Sequence, residues 1–264
     1  MQIQAGQIMY DSTNITHAVR TFLTNFAKLI HNDDDPHPSK FSLQPMIWLI
    51  PGLGLTLMCN LVWNGQADKE YKTWLRKVGD LAPLAKGVTS VDEAVTGMTP
   101  HAFSQRVTNH LPKKVRGASQ SASLERMTDE FVDAMVACVD DLPRDGTGGF
   151  VLHVVRGDCP SCHWSSSSSI ADSVCPYRDP QIHVEILGLA DDDAAAQMAM
   201  AWASRTRDRL MGLEVAERRT YFPLTAPEHF DPVTMYGEEM LEELRALKRE
   251  YDPDGAFRYA LPSV

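Results

Sequence analysis

Apolar side chains recur along this chain at two spacings, three to four residues apart and every second residue, and the two alternate from one end to the other. After a short extended start, Val19, Phe22, Leu23, Phe26, Leu29 and Ile30 share one helical face, with Ser12, Thr13 or Asn14 available as the cap. The polar run HNDDDPHPSK then predicts an exposed loop, because its prolines cannot continue a helix. Met46 to Trp63 is the most apolar stretch, yet Pro51, Gly52 and Gly54 break it. It reads as a loop entering a strand, Leu55 to Trp63, rather than as a membrane span. Gly65 turns into a helix over Asp68 to Leu81 through Tyr71, Trp74, Leu75 and Val78.

Pro83 to Ala122 has weak periodicity and much Gly, Ser, Thr and Lys, so it is assigned to loops with room for one strand or short helix. From Leu124 the spacing Met127, Phe131, Met135, Cys138, Val139 and Leu142 restores a helix, closed by Pro143 and RDGTGG. Phe150 to Val155 and Gln181 to Leu187 are strands, joined by the serine-rich connection RGDCPSCHWSSSSSIADSVCPYRD. Asp191, Asp192 and Asp193 sit at the positive end of a helix dipole and start a long helix through Met198, Trp202 and Leu210. A last helix, Tyr236 to Glu250, stops at Asp252-Pro253-Asp254-Gly255. Strands separated by long helices predict an α+β fold, a mostly antiparallel sheet with helices packed on one face. Trp74, Trp202, Met127, Met135 and Met198 are expected in its core. There is no internal repeat and no glycine-rich phosphate loop of the dinucleotide or Walker type.

Composition narrows the function classes. The chain has 264 residues, 44% of them hydrophobic and 23% charged, and a mean hydropathy of -0.24, which is globular composition. Twenty-five Lys and Arg against 35 Asp and Glu leave a net charge of -10, which repels nucleic-acid phosphate and anionic lipid. The densest basic group, Lys113, Lys114 and Arg116, is too small to reverse that, so neither nucleic acid nor membrane is expected as a partner. The start, MQIQAGQIMYDSTN, lacks the basic and apolar regions of a secretory signal, and a cytoplasmic setting is the expectation. Five cysteines, an odd number, favour reduced thiols over a disulfide framework.

Three groups of residues have candidate chemistry. The motif CPSCH, from Cys159 to His163, matches the c-type haem attachment pattern. Cys159, Cys162, His163 and Cys175 also offer a zinc ligand set, and free thiols on a loop remain the third reading. On the strand from Gln181, His183 and Glu185 face one way while Ile182, Val184 and Ile186 face the other; His153 alternates likewise with Val151 and Val155. An imidazole beside a carboxylate can pass a proton near neutral pH, while solvated polar residues on a half-exposed sheet would give the same pattern. Arg156 and Arg178 could hold a substrate anion or be surface charge, and Tyr221 is either a phenol donor near the substrate or a core residue.

The C-terminal stretch YFPLTAPEHFDPVTMYGEEMLEELRALKREYDPDGAFRYALP has a pattern of its own: Tyr236-Gly237, then Leu244, Leu247 and Lys248, then Tyr251-Asp252-Pro253, then Phe257. Locally, leucines dock the helix, Pro253 ends it, Gly255 permits the turn and Phe257 anchors the tail. This pattern resembles the end of berberine bridge enzyme-like FAD-linked oxidoreductases. LTLMCNLVW with Gly65 and the Trp74 helix, and the unit from Arg178 to the Trp202 helix, are similar to that family's substrate domain. The resemblance implies a substrate-binding domain over residues 1–214 and a C-terminal segment, 215–264, completing the same fold. It also implies an FAD-linked oxidation that tailors a secondary metabolite, in which a base removes a proton from a small natural product while the flavin takes hydride.

His183, Glu185, His153 and Tyr221 are the candidate catalytic residues on this reading. Two departures qualify it. The family's flavin-binding domain is missing from the chain, which implies weak FAD binding or none, and a dimer or a separate flavin-domain chain as partner. Its Tyr-x-Asn-Tyr motif is met by Tyr221-Phe222-Pro223-Leu224, so the asparagine contact and the last tyrosine have no counterpart. A flavin-free isomerase or cyclase using the retained pocket, or a non-catalytic remnant, is the alternative.

Overall fold

The computed structural model describes residues 2–50, 52–110, 114–155, 181–218, 221 and 224–257. Its centre is a hairpin of two ten-residue strands, β2 (Phe41–Ile50) and β3 (Gly54–Trp63), paired from Phe41 opposite Trp63 to Ile50 opposite Gly54. The apolar stretch is thus two strands rather than a loop entering one, with Gly52 and Gly54 at φ +82° in the turn. Pro45 lies just beyond the Met46–Trp48 ladder to the next strand, where no backbone donor is needed. No helix among the described residues is long and apolar enough to cross a membrane.

Around the hairpin stand β1 (Ile3–Met9), β4 (Val95–Met98), β5 (Arg116–Leu124), β6 (Gly149–Val155), β7 (Gln181–Ala190) and β8 (Ala216–Glu217). The eight described strands run in the order β4-β1-β3-β2-β6-β7-β5-β8, every pair antiparallel. The helices are α1 (Ile15–Ile30), α2 (Lys69–Gly79), α3 (Val91–Ala94), α4 (Pro100–His110), α5 (Asp129–Asp140), α6 (Asp193–Met211), α7 (Pro232–Tyr236) and α8 (Glu238–Tyr251). The α+β architecture is the one the sequence predicts. The stretch from Pro83 to Ala122, assigned to loops, instead holds α3, β4, α4 and most of β5. β5 reads RGASQSASL, with little apolar signal, and is a strand because nine residues pair with β7.

Long helices bury one face of the sheet. Phe22, Phe26, Trp63, Trp74, Phe131, Phe150 and Trp202 form one continuous core, in which Phe150 meets Trp202 edge-on at 5.2 Å. The polar atoms of its aromatics are paired: Tyr10 Oη donates to Val78 O at 2.8 Å and Trp202 Nε1 to Cys138 O at 3.1 Å. His37 is also buried, between Phe41 and Trp74, so the polar run at residues 31–40 is not wholly exposed.

Asp192 caps α6 by accepting from the amides of Ala194 and Ala195, as its charge predicts. α6 docks through Ala195, Ala199, Trp202, Thr206 and Leu210, and Met198, expected in the core, points away and is 53% exposed. The last helix divides at Gly237, φ +75°, into α7 and α8. Leu241 is buried, but Leu247 and Phe257 are exposed, so they do not dock the helix or anchor the tail onto the described residues.

α6 can lie this close because Gly188 has no side chain: a Cβ there would sit 2.6 Å from Ala199 O and 2.9 Å from Ala203 Cβ. Gly188→Val is expected to lower unfolding free energy by about 1–3 kcal/mol in urea titrations, with Met198→Ala within about 0.5 kcal/mol of wild type.

Candidate functional site

Period-two alternation leaves the opposite face of the sheet with a different set of side chains. Antiparallel register aligns them in rows. One row crosses the sheet from β1 to β5 as Gln7, Asn60, Gln44, His153, His183 and Ser123. The adjacent row is Met9, Met58, Met46, Val151, Glu185 and Ser121. The first is polar throughout, and the second changes from thioether to carboxylate halfway; Val151 and Val155 thus share the face of His153, which alternates with Leu152 and Val154 and not with those valines.

Over the thioether end lies a cavity of about 400 Å³. Met9, Met46, Met58 and Trp48 line it from the sheet, Phe103 and Val107 from α4, and Gln7 and Asn60 supply its amides. Arg106, exposed on α4, adds a cation. Thr147 also lines it, with a buried hydroxyl that has no hydrogen-bond partner among the described residues.

Hydrogen bonds run along the polar row. Gln7 Nε2 donates to Asn60 Oδ1 at 2.8 Å, Asn60 Nδ2 donates to Gln44 Oε1 at 3.1 Å, and Gln44 Nε2 lies 3.4 Å from His153 Nδ1. The other ring nitrogen, His153 Nε2, is 3.2 Å from Glu185 Oε2. Glu185 stands opposite Val151 and reaches His153 on the diagonal, so it pairs with that ring and not with His183 two positions along its own strand.

His183 is buried opposite His153, with Nδ1 2.7 Å from Ser123 Oγ. Burial, and then the nearby His153, push its pKa down to about 4, so it is neutral at physiological pH. The Tyr221 ring lies 5.4 Å from the His183 ring at 33°, and Tyr221 is 37% exposed, which replaces the core reading of this residue. Thr225 ties the same segment down, donating to Tyr221 O at 2.9 Å with its hydroxyl 3.0 Å from Ser121 Oγ.

His153, Glu185, His183 and Tyr221 thus share one region, and the sequence reading missed Gln7, Gln44, Asn60, Ser121, Ser123 and Thr225 around them. Gln44 had a readable signal, standing between Leu43 and Pro45 in alternating order. Arg156, Arg178 and the CPSCH motif lie outside the described residues. Among the described residues there is no His, Cys, Asp and Glu group fit for a metal. Cys59 and Cys138 are free and buried, and burial pushes the Cys59 thiol up to about 12. The N-termini of α1, α2, α5, α6 and α7 are already capped by Asn14, Asp68, Thr128, Asp192 and Asp231, three of them acidic, which leaves those ends unsuited to phosphate.

A histidine that titrates near 6.5 when unfolded and near 4 when folded binds its proton first in the unfolded chain. Stability is then unaffected above about pH 6.5, falls as pH drops toward 4, and levels off below, a loss of about 3 kcal/mol from this group. Between pH 7 and about 4.5, His183→Gln is expected to lose roughly 2–3 kcal/mol less unfolding free energy than wild type in paired urea titrations.

No family model matches the chain. Its sequence is similar to the FAD-linked oxidoreductase aurO of Gibberella zeae, 24% identical over 267 residues, which cover 97% of this chain and 47% of that protein. Among solved structures, the oxidoreductase GilR in complex with pregilvocarcin aligns with a TM-score of 0.70 at 15% identity, over 96% of this chain and 54% of that one. The glycopeptide hexose oxidase DBV29 complexed with teicoplanin gives 0.66 at 16% identity, over 96% and 53%. The berberine bridge enzyme-like protein 1 of Physcomitrella patens gives 0.62 at 13% identity, over 96% and 52%. The chain spans about half the length of each. In sequence it is related to an FAD-linked oxidoreductase, and its fold is that of the corresponding half of berberine bridge enzyme-like proteins.

Proposed function

We propose that this chain forms the substrate-binding half of an FAD-linked oxidoreductase acting on a small natural product. The observation that carries the reading is the His153–Glu185 pair standing on the same sheet face as the methionine-lined cavity, two hydrogen bonds from its amide Asn60. The tailoring of a secondary metabolite is supported by neighbours of the same fold whose solved structures concern gilvocarcin and caerulomycin biosynthesis.

The cavity suits a flat, largely apolar molecule: methionine sulfurs and Trp48 contact a ring face, and Arg106 meets an anionic oxygen substituent. Glu185 takes the substrate's hydroxyl or amine proton, and His153 Nε2–H donates to the carboxylate and holds its orientation. The α4 side chains Phe103 and Val107 keep water from the ring. FAD supplies the acceptor for the hydride. The capped ends of α1, α2, α5, α6 and α7, and Glu238 and Glu239 at the uncapped start of α8, offer no cradle for its diphosphate, so that grip is assigned to protein outside the described residues. Leu247, Tyr251 and Phe257, exposed on α8 and the turn after it, support a docking face for that flavin-bearing part.

Titrating the purified chain with FAD and with riboflavin separates the two grips. Quenching of flavin fluorescence with both, at affinities within about threefold, is expected. FAD binding more than about tenfold tighter than riboflavin would place a diphosphate site on this chain, and binding of neither at about 1 mM removes the flavin reading for it. In the flavin-loaded enzyme, Glu185→Gln is expected to lower kcat by about 10²–10⁴-fold, while Ser42→Ala, exposed on the same face of β2, leaves it unchanged. Equal turnover in Glu185→Gln would exclude the carboxylate as base.

A further inference from the structure

The polar row has a direction. An ionised Glu185 can only accept, so the His153 nitrogen facing it, Nε2, carries the proton. In the neutral ring Nδ1 must then accept, and Gln44 must turn its Nε2–H₂ toward it. That leaves Gln44 Oε1 to accept from Asn60 Nδ2, and Asn60 Oδ1 to accept from Gln7 Nε2, the arrangement found. Each amide orientation follows from its neighbour's. The second Asn60 Nδ2 contact, to Met46 Sδ at 3.1 Å, places another acceptor on the same side.

We propose that Gln44, Asn60 and Gln7 are positioning residues that fix the tautomer of His153 and couple its protonation to the floor of the cavity. A proton on Nδ1 needs an acceptor there. Gln44 must then present its carbonyl, Asn60 must turn in response, and Gln7 after it, so the row reverses as a unit. Gln7 lines the cavity, and its Oε1 makes no hydrogen bond among the described residues. While His153 is neutral the cavity is offered that carbonyl, which matches a ligand hydroxyl. After reversal the row occupies the carbonyl, and the cavity is offered an N–H donor, which matches a ligand carbonyl. The cavity's preference and the readiness of the pair to receive a proton change together. This deepens the reading of His153 and Glu185 as a proton-handling pair.

The test reads the ring nitrogens directly, without flavin or turnover, so its outcome is independent of the flavin titration. In ¹⁵N-labelled protein near pH 8, with the His153 signals identified by their loss in His153→Asn, the wild-type ring is expected to show a protonated Nε2 and a bare Nδ1. Gln7→Glu puts an acceptor-only group at the far end of the row, three hydrogen bonds from the ring. It is expected to reverse the amides and bring a proton to Nδ1. Asn60→Asp, two bonds away, is expected to do the same and decides the matter if Gln7→Glu does not fold. Ser42→Glu adds a charge on the same face outside the row and is expected to leave the wild-type pattern. An unchanged Nδ1 signal in the folded Gln7→Glu or Asn60→Asp protein overturns the proposal, as does the same change in Ser42→Glu.

Discussion

Antiparallel register is the constraint on which the rest of this structure depends. Side chains alternate with a strict period of two, so a slip of one residue in any strand would send its core set to solvent and its polar set into the core. With α1, α2, α5 and α6 fixed on one face, each strand has one acceptable register. Once those registers are set, Gln7, Asn60, Gln44, His153, His183 and Ser123 have no choice but to stand in line. The site is a by-product of hydrophobic burial on the other side of the sheet.

The line brings a problem with it. Amides and imidazoles at half-buried positions need partners, and an unpaired polar group away from water costs about 1–3 kcal/mol. Lateral hydrogen bonds meet most of that need between neighbouring strands, and Thr225 and Tyr221 cover the β5 end. His183 shows the residual strain, since its burial holds it neutral well below the usual range for the imidazole.

Much of this was legible beforehand, and the limits are physical. The helices α1, α2, α5 and α6 announce themselves through their apolar spacing and caps, and the shared face of His183 and Glu185 follows from alternation alone, whereas His153 was set against Val151 and Val155, which stand on its own face. Strand β5 was hidden because Gly, Ala and Ser pack well between two neighbours but give no hydrophobic signal, and β2 because the break at Pro51, Gly52 and Gly54 made the stretch before it read as loop. The pairing of Glu185 with His153 was out of reach for a different reason. Contacts along one strand can be read from sequence spacing, whereas a contact across strands needs their order, and β6 and β7 are neighbours only by topology. The amide residues were missed on the same ground: Gln7, Gln44 and Asn60 mean little until β1, β2 and β3 are placed side by side.

The seat of α6 on Gly188 divides the molecule into a part that must be kept and a part that is free to vary. Where a backbone oxygen lies too close to admit even a methyl group, no substitution can be absorbed locally, so tolerance to mutation is low where Ala195, Ala199 and Ala203 approach the sheet. Around the cavity, Gly6 apart, the opposite holds, since Met9, Met46 and Met58 are flexible and adapt to a changed neighbour. A lineage with this frame can alter the cavity residue by residue and acquire new ligands without renegotiating its fold, which makes the scaffold a favourable starting point for directed evolution of the cavity alone.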